Sequence, residues 1–380
     1  MLCVSQHAPL AQSAEQLTLN QWVPGSSPGG RTKDPKLLTS LGLFLFAVLV
    51  KGAQRHLTIP MTSFAELTSA EQVATLEPLA QHIVAGFGLG ECVIESINHE
   101  FNSTFKVTTA DGTKYALRIN VNSQRSEGNV RAEIFWVLEL SKVAGLKVPT
   151  PIANTDGEYI VSVWHELLGK NLWAVMFTWL EGEELADDPT PEALHATGAA
   201  IARMHLASRE TQLPAGAELH TIKDFFWGGN DLIATSAEIA ELDRETLLRE
   251  IDRIEAITAA LYEKTSAQII HADVHGWNVM WNGSEAAIFD FDDCAIGLPV
   301  QDLAVTLYYL DKAGHRQSIL DGYQSVAELP EYSKTDMDAL ILQRRIFLLN
   351  YLLETTNPEH RAMVPKYLEG TMQRIRDAQM

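Results

Sequence analysis

Apolar residues between Phe64 and Phe87 recur at helical spacing (Leu67, Val73, Leu76, Leu79, Ile83) behind Ser and Thr positions suited to capping, which predicts a leading helix. The period then shortens. CVIESI at 92–97 reads as a strand, and STFKVTT and TKYALRI flank Ala110-Asp111-Gly112 in a hairpin pattern. GNVRAEIFWVLELSKVAGL, 128–146, reads as an amphipathic helix ending near Gly145, and Val148-Pro149-Thr150-Pro151 breaks the pattern. Strand signals return in EYIVSVW (158–164) and LWAVMFTWL (172–180), followed by the Gly and acid run EGEELADDP.

Beyond this run the pattern is helical, in PEALHATGAAIARMHLAS (191–208), ETLLREIDRIEAITAALYEK (245–264), TDMDALILQRRIFLLNYLLETT (335–356) and HRAMVPKYLEGTMQRIRDA (360–378). One β-rich stretch, 268–297, interrupts it. The expected fold class is therefore α+β: a small sheet-plus-helix unit over 61–182, then a larger, mostly helical one over 183–380. The junction falls near Trp179 to Pro189, where a ligand cleft is expected.

The first sixty residues differ, with five Lys or Arg against two acids. Residues 5–32 are rich in Ser, Gln, Pro and Gly without apolar periodicity, a composition that does not fold alone. LLTSLGLFLFAVLV, 37–50, is shorter than the ~20 residues that span a bilayer. PLAQSAEQLTLNQWVPGSSPGGRT, 9–32, resembles the peptide obtained when a transfer-RNA gene is translated, which implies a native start at Met61 and a non-native or disordered leader over 1–60.

Composition narrows the function classes. The chain has 380 residues, 46% hydrophobic and 21% charged, as a soluble globular protein does. Its net charge of −20 argues against non-specific binding to nucleic acid or to an anionic membrane. Cys3, Cys92 and Cys294 are too few and scattered for a disulfide framework, so free thiols and a reducing, cytoplasmic setting are expected.

The chemistry concentrates in HADVHGWNVMWNG (271–283) and IFDFDDCAIG (288–297). QII, HAD, NVMW and AAIFDF suggest short strands, with an Asn282-Gly283 turn between the last two. Their pairing would bring Asp273, Asn278 and Asp290 to one point. Two carboxylates and an amide oxygen form a hard ligand set suited to Mg²⁺. His271 and His275 lack the partners and spacing of a zinc site, and for His271 internal hydrogen bonding is expected.

H-x-D-x-x-x-x-N with an Asp about twelve residues further on resembles protein-kinase-like phosphotransferases, and HADVHGWNVMW…IFDFDDCAIGLPVQDLA is most similar to their aminoglycoside phosphotransferase and choline kinase branch. The resemblance covers about residues 80–320. It implies a two-lobed protein-kinase-like fold, with a small antiparallel-sheet N-lobe and a larger helical C-lobe. It also implies ATP- and Mg²⁺-dependent transfer of a γ-phosphate to a small-molecule hydroxyl. In it Asp273 matches the catalytic Asp, and Asn278 and Asp290 the metal ligands. Arg118 in KYALRIN stands where the branch usually has Lys, paired with Glu133 on the next helix. NHEFNSTFKV, 98–107, lacks the glycines of a phosphate-covering loop, leaving Asn102, Ser103 and Thr104 as donors. MFTWLEGEEL places the adenine-binding backbone at about Phe177 to Trp179. GAAIARMHLAS matches a packing helix, and Asp302 is expected to hold the catalytic loop by hydrogen bonds.

Two other readings stand beside this one: a non-catalytic nucleotide-binding protein of the same fold, and a haloacid-dehalogenase-like phosphatase built on IFDFDDC. Asp292 and Asp293 stay open between a second metal, a cationic substrate and solvated surface. The acidic balance favours a cationic acceptor, and nothing in the sequence fixes the oligomeric state.

Overall fold

The computed structural model describes residues 63–378 apart from positions 100, 124 and 356; the expectations for residues 1–60 lie outside them. Thr68 and Glu71 form a reciprocal capping box that starts helix α1, Ser69–Ala85. β1 (Cys92–His99), β2 (Asn102–Thr109), β3 (Lys114–Asn120), β4 (Pro151–Ile152), β5 (Ile160–His165) and β6 (Lys170–Thr178) form one antiparallel sheet in the order β1-β2-β3-β6-β4, with β5 also on β6. Alternation decides its faces: Phe105, Val107, Leu117, Ile119, Leu172, Ala174 and Met176 pack with Leu76, Ala80 and Ile83 of α1. α2, Glu127–Leu140, covers the other face. It stops five residues short of the expected end near Gly145, because the chain tightens into turns from Val143 N–H to Leu140 O and from Leu146 N–H to Val143 O.

After β6 the chain passes through β7 (Glu183–Glu184) into the helical lobe. There α3 (Pro191–Ser208), the short α4 (Leu232–Thr235), α5 (Glu241–Lys264), α6 (Pro299–Tyr308), α7 (His315–Gln324), α8 (Lys334–Glu354), α9 (Pro358–Ala362) and α10 (Val364–Ala378) enclose two apolar cores. The 360–378 pattern is thus two helices, parted at Met363 just ahead of Pro365. α6 and α7 escaped the pattern reading; α6 is buried on every side and has no polar face to give a helical period.

β8 (Gln268–Ile270), β9 (Val279–Trp281), β10 (Ala286–Ile288) and β11 (Ala295–Gly297) frame the acid-rich stretch. β9 and β10 form the expected hairpin about Asn282-Gly283, with Gly283 at φ 93°. β8 pairs instead with β11, and His271-Ala272-Asp273 is loop rather than strand. β7 adds to β9, and a Cβ at Gly276 would lie 2.2 Å from Ala186 O, so the segment leaving β7 rests directly on the loop that carries Asp273. Asn102 of β2 hydrogen-bonds to Asp292 beyond β10, so the two lobes meet over this stretch.

Candidate active site

The roof of the cleft comes from β3. Leu117 and Ile119 enter the core, so Arg118 between them projects to the opposite face, towards α2. There Nη1 and Nη2 donate to Glu133 Oε1 and Oε2 at 2.7 and 2.5 Å. Both side chains are buried. Burial opposes the Arg118 charge, but Glu133 and then Asp292 outweigh it and push the pKa up. Arg118→Ala would leave Glu133 buried and unpaired, an expected loss of about 3–5 kcal/mol in urea unfolding. The double change Arg118→Met with Glu133→Leu is expected to recover most of that loss.

The floor is the loop after β8. Ala272 adopts a left-handed conformation, φ 66°, which turns its N–H onto Asp302 Oδ1 of α6 at 2.7 Å. Asp302 Oδ2 accepts from the His271 N–H at 3.2 Å and lies 2.9 Å from His205 Nε2 of α3. Burial alone would raise the Asp302 pKa, but the hydrogen bond and charge of His205 hold it low. The loop is thus pinned by a buried carboxylate, the role expected for Asp302.

His271 joins this loop to the next. Its Nδ1 accepts from the Asp273 N–H at 3.3 Å, so Nε2 carries the proton and donates to Phe289 O at 3.0 Å. The Phe289 N–H in turn donates to Asn278 O at 3.0 Å. Asp290 follows directly, in a left-handed conformation (φ 63°, ψ 66°) that turns the chain at the end of the hairpin. Asn278 Nδ2 donates to Asp273 O at 2.9 Å and lies 3.4 Å from Asp273 Oδ2. Asp273, Asn278 and Asp290 are so brought to one place.

Their electrostatics differ. Burial would raise the Asp273 pKa, yet Arg344 of α8, whose Nη2 donates to Oδ1, and then His275, 3.4 Å from Oδ2, hold it at about 2. Among the described residues Asp290 has no such ion-pair partner. Burial first, then the neighbouring Asp292, push it up to about 7, with Arg118 opposing. Two carboxylates and an amide crowded together, one of them unneutralised, suit a hard divalent cation such as Mg²⁺, which takes oxygen ligands and completes its shell with water and phosphate. Among the described residues no three His, Cys, Asp or Glu side chains are grouped to hold a metal alone.

Other expected residues divide. Asn102 Nδ2 reaches across the cleft to Asp292 Oδ2 at 3.2 Å, and Asn120 Nδ2 lies 3.4 Å from Oδ1. Arg125 Nη2 meets Asp293 Oδ1 at 2.5 Å. Asp292 and Asp293 thus clasp the upper lobe. Ser103 is a correction: it is fully buried, its Oγ 2.5 Å from His99 Nδ1, on the core face of β2 rather than the cleft face. Phe177 is buried with Val130 and Ile134, its ring 5.4 Å from the Arg118 guanidinium, and its strand pairs on both sides. Trp179, half-buried, lies past the last paired residue and makes no backbone–backbone hydrogen bond to the described residues.

Arg344 was missed. The two arginines of LQRRIFLLN, within an otherwise apolar helical pattern, were the available signal.

A small antiparallel-sheet lobe over a helical lobe, with an Asp-Asn-Asp floor between them, defines a protein-kinase-like phosphotransferase. Residues 93–336 match the family described as phosphotransferase enzyme family, and the chain belongs to it. It is an enzyme of the kinase type. A homoserine kinase of Neisseria meningitidis serogroup B is 29% identical over 265 residues, covering 66% of this chain and 80% of that protein. Two solved structures share the fold. An amicoumacin kinase in complex with AMP-PNP, Ca²⁺ and Ami has a TM-score of 0.64 at 18% identity, over 81% of this chain and 96% of that one. A microcompartment-associated aminopropanol kinase has 0.62 at 20%, over 77% and 94%.

Proposed function

We propose that this phosphotransferase moves the γ-phosphoryl group of ATP to a hydroxyl of a small molecule, with Mg²⁺ held by Asn278 and Asp290. The observation that carries this reading is the convergence of Asp273, Asn278 and Asp290 beneath the Arg118–Glu133 pair. Asp273 orients the acceptor hydroxyl and takes its proton. With a pKa near 2 it is a weak base, which suits a loose transition state in which positioning precedes proton transfer. Arg118, fixed by Glu133, faces the phosphates. Asn102 donates beside it, and the backbone around Phe177 and Trp179 offers hydrogen bonds to adenine. When bound, Mg²⁺ supplies neutralisation of charge developing on the phosphates.

The relatives' names fit a small hydroxyl acceptor: homoserine, amicoumacin and aminopropanol. An intact floor favours catalysis over nucleotide binding alone. Asp290 follows an antiparallel hairpin within a phosphotransferase fold, so the phosphatase reading is not carried further. Among the described residues no helix is long and apolar enough to cross a membrane, and Cys92 and Cys294 are free thiols. Titration with ATP, with and without Mg²⁺, followed by ADP release over a panel of amino alcohols, hydroxy amino acids, sugars and aminoglycosides, tests the reading. Mg²⁺-dependent ADP release that rises with one acceptor class is expected. Failure to bind MgATP would refute it.

A further inference from the structure

Arg344 is an unusual neighbour for the floor. Its side chain is only 7% exposed, yet Asp273 is the one carboxylate it bonds among the described residues. Nη2 donates to Asp273 and, at 2.8 Å, to the Tyr309 hydroxyl; Nε lies 3.3 Å from the same hydroxyl; Nη1 makes no hydrogen bond to a described residue. The guanidinium sits among aromatic faces, with Cζ 5.6, 5.8 and 6.0 Å from the ring centres of Tyr309, Phe347 and Trp227. Two groups that the reaction needs apart are therefore joined: an acceptor hydroxyl must approach Asp273 where Arg344 now donates.

A second observation comes from the same place. Arg344, Trp227, Phe347, Gln343 and Val305 line a recess partly open to solvent, with about 260 Å³ of space between its atoms and the solvent around it. Trp227 has a buried indole N–H with no hydrogen-bond partner. Its backbone is held in the left-handed region, φ 53°, and its ring lies 4.4 Å from that of Phe347. The outer guanidinium nitrogen of Arg344, which reaches solvent, and the buried indole N–H of Trp227 are two donors at one recess without an acceptor among the described residues. A guanidinium fork matches a carboxylate.

We infer that Arg344, assisted by Trp227, binds a carboxylate on the acceptor, so that the substrate is a small hydroxy acid or hydroxy amino acid. The inference rests on the phosphotransferase reading above. Binding exchanges the carboxylate of Asp273 for that of the acceptor at Arg344, which frees Asp273 Oδ1 for the acceptor hydroxyl. The chain's net charge of −20 favoured a cationic acceptor, but the one charged side chain lining this recess is that of Arg344. No bond changes in this step beyond the hydrogen bonds named.

The test uses ADP release from the full chain with MgATP and four probes: L-homoserine, 5-hydroxylysine, 4-hydroxybutyrate and 3-aminopropan-1-ol, which lacks the carboxylate. At least one carboxylate probe is expected to exceed 3-aminopropan-1-ol in kcat/KM by on the order of 100-fold. In Arg344→Gln that ratio is expected to collapse to within about threefold, mainly through KM. Arg344→Lys should restore part of it. Should Arg344→Gln fail to fold, Trp227→Phe, which removes the indole N–H together with part of the ring, is expected to raise KM for the carboxylate probe by about tenfold while leaving that for 3-aminopropan-1-ol within about twofold. A preference for 3-aminopropan-1-ol overturns the inference. So does a loss in Arg344→Gln shared equally by all four probes, or the phosphorylation of none of them while slow MgATP hydrolysis persists. Absence of both MgATP binding and hydrolysis would instead strike the phosphotransferase reading.

Discussion

Changing Asp273 to Asn is expected to lower kcat by roughly 10³-fold while ATP affinity holds within a small factor. The amide keeps the volume and can still face Asn278, but it neither accepts the acceptor proton nor orients the hydroxyl as a carboxylate does. Single-turnover phosphoryl transfer and a separate MgATP titration check the two halves, and full turnover in the variant would remove Asp273 from the mechanism. The same change should also cost stability, because it leaves Arg344 buried without its charge partner. The sign follows from the depressed pKa. A carboxyl held at about 2 in the folded chain, against 3.8 unfolded, stabilises the fold above pH 3.8 and loses that contribution as pH falls through about 2. The gap between wild type and variant is then expected to be about 2 kcal/mol at pH 7 and to close under strong acid.

Much of the fold was legible because periodicity reports which face is buried. The hairpin of β2 and β3 and the helices α1, α3 and α8 showed their periods clearly, and each buries one stripe or face. Where burial is complete, the signal vanishes. α6 is apolar on every side around Asp302 and Gln301, so nothing in its sequence separates a helical face from a strand. Helix ends were less legible still: the turns that close α2 at Leu140 are made by backbone groups and leave no residue signature.

The site divides on the same physical line. Asp273, Asn278 and Asp290 lie within eighteen residues, and one hairpin turn suffices to bring them together. Ser103 was legible and misread: in STFKV it shares the parity of Phe105 and Val107, which places it on the core face whatever the family resemblance suggests. Arg344 is 71 residues from Asp273 in sequence, on a helix whose rotation is set by packing against α6 and α10, and no local pattern reports that pairing. Asp292 and Asp293 were equally opaque, since their partners Asn102, Asn120 and Arg125 belong to the other lobe.

Asp290→Asn is expected to act in two opposite directions. Turnover should fall by roughly 10³-fold and its dependence on Mg²⁺ should flatten, because the charged member of the Asn278 and Asp290 ligand pair is gone. In chelator, with no divalent ion present, the variant is expected to be the more stable protein. Asp290 is pushed up to about 7 by burial and by Asp292, so the folded chain disfavours its ionisation. For an acid with a raised folded pKa the sign is reversed from Asp273: the penalty is absent below pH 3.8, grows between 3.8 and about 7, and is complete above. Its upper bound is about 4 kcal/mol. Asn tolerates the left-handed conformation at this position, so the backbone does not offset the gain. Urea unfolding in chelator at pH 5 and pH 8 checks this: the advantage of the variant should be larger at pH 8. An unchanged or lower stability at pH 8 would mean that Asp290 is neutralised within the protein itself and has no vacant charge to offer a cation. Both effects together would mean that the reaction rather than the fold holds Asp290 in place, in contrast to Asp302, whose buried carboxylate is hydrogen-bonded within the protein.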